Sequence, residues 1–444
     1  MSAIRTLANH AAEYVHSSLD AEVVHHAKRA VIDWYASLFP GLATPPVRML
    51  ERVLADDLGR GRARIAGGRA ATPRAAALYL GTAAHAAEID DSFRDAMYHP
   101  GAATIAAAHA ASTSVGASGL DFLRSVVLGY ELSTRIGVIL GRDHYKYWHS
   151  TGTVGGFGAA GAAGSAFKLD ADRFSHALAT VGTFAAGLQQ AFRSDSMSKP
   201  FHAGRAAEAG LFAAQLAAEG VTGSESILDG DAGIGVAMSA NPDWSAIGQS
   251  LGREFHITRL TFKNHIGCGH TFAAIDAALA LRERFQRQAE EIVSVSVSTY
   301  RPAVDIACYM NPSTENEAKF SLRFVVATAL VHGSVRLAAY DPARLRDPQV
   351  RALMEKIEVH VDDELDRNFP GKRSARVRLT TSQGTVIEHY QADRKGDPEC
   401  PLSDSELSEK FIELASPALG DRGARTLLEE LWSLENREAA PRIG

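Results

Sequence analysis

Apolar residues recur at helical spacing through most of the first 250 residues, and each run is entered through a polar cap. Ser18 to Asp20 precede AEVVHHAKRAVIDWYASLF. Thr72-Pro73 precedes RAAALYLGTAAHAAEI, with Pro near the first turn. Gly119 to Asp121 precede FLRSVVLGYELSTRIGVIL, and Asp170 to Asp172 precede RFSHALATVGTFAAGLQQAF. A further run, KPFHAGRAAEAGLFAAQLAAEG, ends on a glycine at the C′ position. Several runs are apolar on most faces, which predicts helices buried against helices. The pattern changes near residue 256. A Gly/His-rich turn leads into TFAAIDAALALRERF. EEIVSVSVSTY then alternates strictly, as a half-buried strand does. FSLRFVVATALVHG is helical again, KIEVHVDD is a second strand, and SARVRLTTSQGTVIEHYQA predicts a hairpin turning at Ser382 to Gly384. The expected fold is mainly α. A large helical domain spans 1–256 and is completed by C-terminal helices in 398–444, while a smaller α+β domain spans 257–397. The last residues, NREAAPRIG, are expected to fray.

Composition narrows the function class. With 46% hydrophobic and 22% charged residues the 444-residue chain is an ordinary globular one. Its net charge of -6 gives no drive toward nucleic acid or anionic lipid. No apolar run suits a secretory signal or a membrane span, and three widely spaced cysteines offer no metal clip. A cytoplasmic protein is expected.

Gly156 to Gly161 read GFGAAG, the spelling of a dinucleotide-binding fingerprint. That motif must follow a buried strand, and an acid about 20 residues on must meet the ribose. Upstream here is DHYKYWHSTGTV, polar and aromatic, and Asp170 and Asp172 come too early. The glycines are instead expected to let another helix approach closely.

Four segments gather titratable residues. In HAAEIDDSFRDAMYHPG, His85, Glu88, Ser92, Asp95 and His99 recur at spacings of 3, 4, 3 and 4, one face of a helix that Pro100 then stops. Asp90 and Asp91 point elsewhere or cap. The segment suits acid/base and substrate-orienting chemistry, a divalent-metal cluster, or a solvated acidic loop. In YWHSTGTVGG, His149 with Ser150, Thr151 and Thr153 makes an anion site if a helix starts there; a capping histidine is the alternative. In SDSMSKPFHAGRAAEAG, Lys199, His202 and Arg205 supply three cations suited to a polycarboxylate, or are ordinary surface charges. Burial that depressed its pKa would make Lys199 a base. In FKNHIGCGHTFAAIDA, Lys263, His265 and His270 surround Cys268, which is either a nucleophile or a small buried hydrophobe.

Taken together and in this order, these segments resemble the MmgE/PrpD family over roughly residues 5–435. HAAEIDDSF…HPG, WHSTGTVGGFGAAGAAG, MSKPFHAGRAAEAGL, KNHIGCGHTFAAIDA and AKFSLRFVVATALVHG carry the resemblance. It implies a helical domain, an α+β lid domain with the active site in the cleft between them, a homodimer, and no redox cofactor or metal. It places functional positions at Glu88, Asp91, Ser92, His99, His149, Lys199, Lys263 and His270. The chain departs from the family's usual Asp at Glu88 and its frequent Thr at Ser92.

What the resemblance implies is lyase or isomerase chemistry on a small di- or tricarboxylate, by proton transfer alpha to a carboxylate. A 2-methylcitrate dehydratase-like reaction, a cis-aconitate-type decarboxylation and an iminodisuccinate-type epimerisation all fit; a binding protein without turnover is the other class. Lys199, His149, His99 and Asp91 form the expected catalytic set. Glu88, Ser92, Thr151, His202, Arg205, Lys263 and His270 are expected to bind substrate, with Glu88 and Asp91 also orienting the histidines.

Overall fold

The computed structural model describes residues 1–192, 196–285, 291–441 and 443. Ser194 and Asp195 of the third polar segment, Glu290 at the head of the alternating strand, and Arg442 and Gly444 of the tail lie outside them. The chain is mainly α, with small sheets, and divides into two compact units: Met1–Thr261 with Ser403–Gly444, and Phe262–Leu402.

The first unit is a stack of buried helices. α1 (Ala21–Leu42) starts where the Asp20 carboxylate accepts from the Glu22 N–H. α2 (Pro73–Ala86) and α3 (Pro100–Val115) each begin on a proline, whose missing N–H is no loss in a first turn. Between α1 and α2, β1 (Leu58–Arg64) and β2 (Ala70–Ala71) form a small antiparallel pair with no sequence signal of its own. Then come α4 (Gly119–Tyr145), α5 (Gly155–Ala166), α6 (Ala171–Gly182) and α7 (Lys199–Ala218).

α5 contains GFGAAG, and all twelve of its residues are buried. No strand precedes it and no phosphate loop exists there. A Cβ on Gly158 would lie 2.4 Å from Thr104 of α3 and 2.8 Å from Ser133 of α4. Across the other side, a Cβ on Gly210 of α7 would meet the Ala160 nitrogen and the Gly156 carbonyl oxygen at 2.5 Å. Glycine is therefore what lets three helices close on α5. Gly210→Ala should destabilise by about 1–3 kcal/mol through overpacking. Thermal denaturation checks this, and an unchanged midpoint would contradict it.

Three local expectations change. The helix expected through 192 stops at Gly182; beyond it Gly187, at φ 126°, accepts the His149 N–H at 2.9 Å through its carbonyl. The helix expected through Ile89 stops at Ala86. The tail is docked rather than frayed. Ala440, Pro441 and Ile443 are buried, the Pro441 carbonyl meets His109 Nε2 at 3.0 Å, and the Gly68 N–H donates to Ile443.

In the second unit, α8 (Phe272–Phe285) packs on α9 (Leu322–His332) and on a four-stranded sheet. Its strands are β3 (Ile292–Thr299), β4 (Ile357–Val361), β5 (Ala375–Thr381) and β6 (Val386–Gln391), in the order β4-β3-β5-β6. β3 is parallel to β4 and antiparallel to β5. The β5–β6 hairpin turns at Gly384, whose φ of 78° suits glycine. α10 (Asp404–Trp432) belongs to the first unit. Ser403 and Glu406 close a capping box at its start. No helix among the described residues is long and apolar enough to cross a membrane.

Candidate active site

His85 lies in the last turn of α2, fully buried. The chain then turns sharply, because Glu88 takes the left-handed region at φ 60°, unusual for a residue with a side chain. This turn overturns the one-face helix expected from His85 to His99. It also reverses the roles of the two aspartates. Asp90 folds back, its Oδ2 2.8 Å from His85 Nδ1 and 3.4 Å from His99 Nδ1. Asp90, not Glu88 or Asp91, is the carboxylate that orients the histidines. Pro100 starts α3 rather than stopping a helix.

Glu88 pairs instead with Lys199 at the start of α7. Burial works to lower the Lys199 pKa, but the Glu88 carboxylate outweighs it and the net shift is upward. Lys199 is thus held as an ammonium, and the depressed lysine base of the sequence expectation does not form here. Its chemistry in this arrangement is that of a cation and a proton donor.

His149 sits before the short helix Ser150–Thr153, its backbone N–H tied to Gly187. Its Nδ1 is 3.0 Å from His202 Nδ1, and its ring stacks on His85 at 5.5 Å. Burial, followed by the positive potential of His85, Lys199, His99 and His202, pushes its pKa well below 6.5. His202 is lowered by burial, His85 and Lys199. His99 places Nδ1 2.7 Å from the Asp91 carbonyl, which can only accept. The Nδ1 therefore carries a proton, and Nε2 is the ring nitrogen on which a base's lone pair would be carried. The His99 N–H donates to Thr151 Oγ1 at 3.2 Å.

Asp91 accepts from the Gly101 N–H at 3.0 Å and from the buried Tyr130 hydroxyl at 2.7 Å. Burial and the nearby Asp33 raise its pKa to about 8, despite these bonds. Beneath this turn lies a pair that sequence reasoning missed. Lys410 of α10, with no exposed surface, donates to Asp33 of α1 at 2.6 Å and to the Ile89 carbonyl at 3.1 Å. A cue was available for Asp33, a lone charge in the apolar run AVIDWYASLF, but not for Lys410, which lies among the acids of DSELSEKFIEL.

The other expected residues are placed as follows. Ser92 pairs through its backbone with Thr261, N–H to carbonyl both ways at 2.9 Å. Arg205 is exposed and pairs with Glu208 on the outside of α7, away from Lys199 and His202, so it does not join the cluster. Lys263 and His270 lie in the second unit. There Cys268 is buried and its thiol is pushed up by burial, which leaves it the small hydrophobe of the two expectations rather than a thiolate nucleophile. His265 is bound to Asp276 at 2.7 Å.

His85, Asp90 and His99 each present a donor atom within 4.8 Å of the others, a set that could gather a divalent ion. The Nδ1 atoms of both rings are already satisfied by oxygen acceptors.

Models of the MmgE/PrpD N-terminal domain and C-terminal domain match residues 5–247 and 265–436. The cis-aconitate decarboxylase-like protein oryM of Aspergillus oryzae is 28% identical over 97% of this chain and 94% of its own length. The cis-aconitate decarboxylase of Homo sapiens is 27% identical over 82% of this chain and 77% of its own. The 2-methylcitrate dehydratase of Cupriavidus necator is 28% identical, but over 27% of this chain and 26% of its own length.

Proposed function

This chain belongs to the MmgE/PrpD family, and from that premise we propose that it is a lyase moving a proton at the carbon alpha to a carboxylate of a small di- or tricarboxylate. The observation that carries this reading is the first unit's cluster of one fixed ammonium, Lys199, among histidines held neutral by burial and by each other. A substrate carboxylate adds a negative charge to such a site, which favours the protonated forms of its cations. A bound carboxylate would stabilise Lys199 and let His149 and His202 take protons.

His99 Nε2 acts as the base, because its Nδ1–H is tied to the Asp91 carbonyl. Asp90 stabilises the imidazolium that forms. Lys199 holds the carboxylate on which charge accumulates and returns the proton. In dehydration the base takes the alpha proton and an acid protonates the departing hydroxyl. In decarboxylation the C–C bond to CO2 breaks, its electron pair stays on the alpha carbon, and Lys199 delivers the proton. The chain's end-to-end likeness to the decarboxylases, against a quarter-length likeness to the dehydratase, favours decarboxylation of cis-aconitate as the first reaction to try.

Incubation with cis-aconitate and with 2-methylcitrate, followed by product analysis, tests this. Turnover of either supports it; turnover of neither at high enzyme concentration overturns it for these substrates. Excess chelator should leave the rate unchanged. A rate lost on chelation and restored by a divalent ion would instead make His85, Asp90 and His99 a metal centre.

A further inference from the structure

Tyr300 follows β3 directly and has no exposed surface. Its ring stacks on Phe369 at 4.7 Å with only 12° between planes, which fixes where the hydroxyl sits. That hydroxyl lies 2.9 Å from His270 Nδ1. Among the described residues it has no other partner, and it is out of reach of water.

A buried phenol hydroxyl carries a proton that must find an acceptor. The alternative, Nδ1–H donating to the tyrosine oxygen, would leave the phenol O–H buried with nothing to bind. Nδ1 is therefore the bare nitrogen, and the proton of the neutral ring is on Nε2. Burial, then the positive charges of Arg373 and Arg394, keeps the ring neutral by lowering its pKa to about 4. Nε2 meets no protein acceptor among the described residues.

We propose that Tyr300 is a positioning residue that locks His270 as its Nε2–H tautomer, a neutral donor for a substrate carboxylate oxygen. This is the reverse of His99, whose Asp91 contact leaves Nε2 bare. The two histidines are thereby divided by their Nδ1 partners: one is set to accept a proton, the other only to donate a hydrogen bond. The identity of the ligand rests on the function proposed above; the tautomer does not.

Two-bond proton–nitrogen correlation spectra of protein labelled with 15N-histidine test it, with His270→Gln assigning the signal. At pH 7 the wild-type His270 should show the Nε2–H pattern, and cis-aconitate should shift its Nε2 resonance. Tyr300→Phe keeps the stacked ring and removes the lock. Its His270 should become a tautomer mixture, and KM should rise about tenfold with kcat nearly unchanged, as for one lost hydrogen bond to a charged group. An Nδ1–H or imidazolium pattern in the wild type overturns the proposal, as does a Tyr300→Phe variant with the tautomer unaltered. An altered tautomer with unchanged KM overturns the carboxylate role. If the wild type shows Nε2–H and the variant a mixture, but no polycarboxylate is turned over, the lock stands and the proposed reaction falls.

Discussion

Replacing Lys199 by alanine lowers turnover by about 10²- to 10⁴-fold, the contribution of one positioned proton-transfer group. Two losses combine. The cluster loses the ammonium that meets the reacting carboxylate, and Glu88 loses its partner. An unpaired Glu88 then repels an anionic substrate, so KM should rise along with the fall in kcat. The helical unit itself should stay folded, because Lys199 lies in the first turn of α7, where the next residue is a proline and the buried face begins at Pro200 and Ala203. Circular dichroism and thermal denaturation separate the two effects. A normal rate in the alanine variant would remove Lys199 from the chemistry. The double change Lys199→Ala with Glu88→Gln should recover part of the KM but not of the kcat. That outcome distinguishes the electrostatic loss from the chemical one.

Lys410→Met should be the most destabilising single change at the site's base, by about 3–5 kcal/mol. Lys410 and Asp33 have no exposed surface, so removing Lys410 takes from a buried carboxylate the ammonium that meets it at 2.6 Å. The Ile89 carbonyl loses its donor in the same step, directly beneath the turn that carries Glu88 and Asp90. Pairing the change with Asp33→Leu removes both charges and should return most of the lost stability, since apolar replacements of a buried pair are often neutral. Urea denaturation of the single and double variants measures this. A single variant as stable as the wild type would mean that the pair does not anchor the turn.

The helices, the alternating strand and the hairpin turn were legible because each follows from a repeating pattern of apolar positions. β3 shows it in part: of the alternating Val293, Val295 and Val297, the last two are buried, while Val293 is exposed beside a register irregularity between Ile292 and Ser294. The parallel pairing of β3 with β4 was not legible, since parallel and antiparallel strands can share one pattern. At the site, the residue types were legible and their partners were not. The string EIDDS looks like a continuing helix until Glu88 adopts a positive φ, and that one dihedral decides that Asp90 rather than Asp91 meets the histidines. Lys410 and Asp33 lie 377 residues apart, so nothing local links them. Arg205 looked like a third cation because it falls one turn beyond His202; the helix presents it to solvent beside Glu208.

The central claim is that the cluster of Lys199, His99, His149 and Asp90 moves a proton at a carbon alpha to a carboxylate. Proton NMR in D₂O tests it most directly, with cis-aconitate, 2-methylcitrate, citrate and iminodisuccinate each given to the wild type and to Lys199→Ala. The account predicts, with the wild type, solvent deuterium at the alpha carbon of one substrate or its product, or for a dehydration the loss of the alpha-proton signal, at a rate reduced at least about 100-fold in the variant. Its companion product would tell decarboxylation, dehydration and epimerisation apart. Decarboxylation or epimerisation of one of these substrates with no deuterium at the alpha carbon, dehydration that leaves the alpha-proton signal intact, or any of these changes running equally fast without Lys199, would contradict the account.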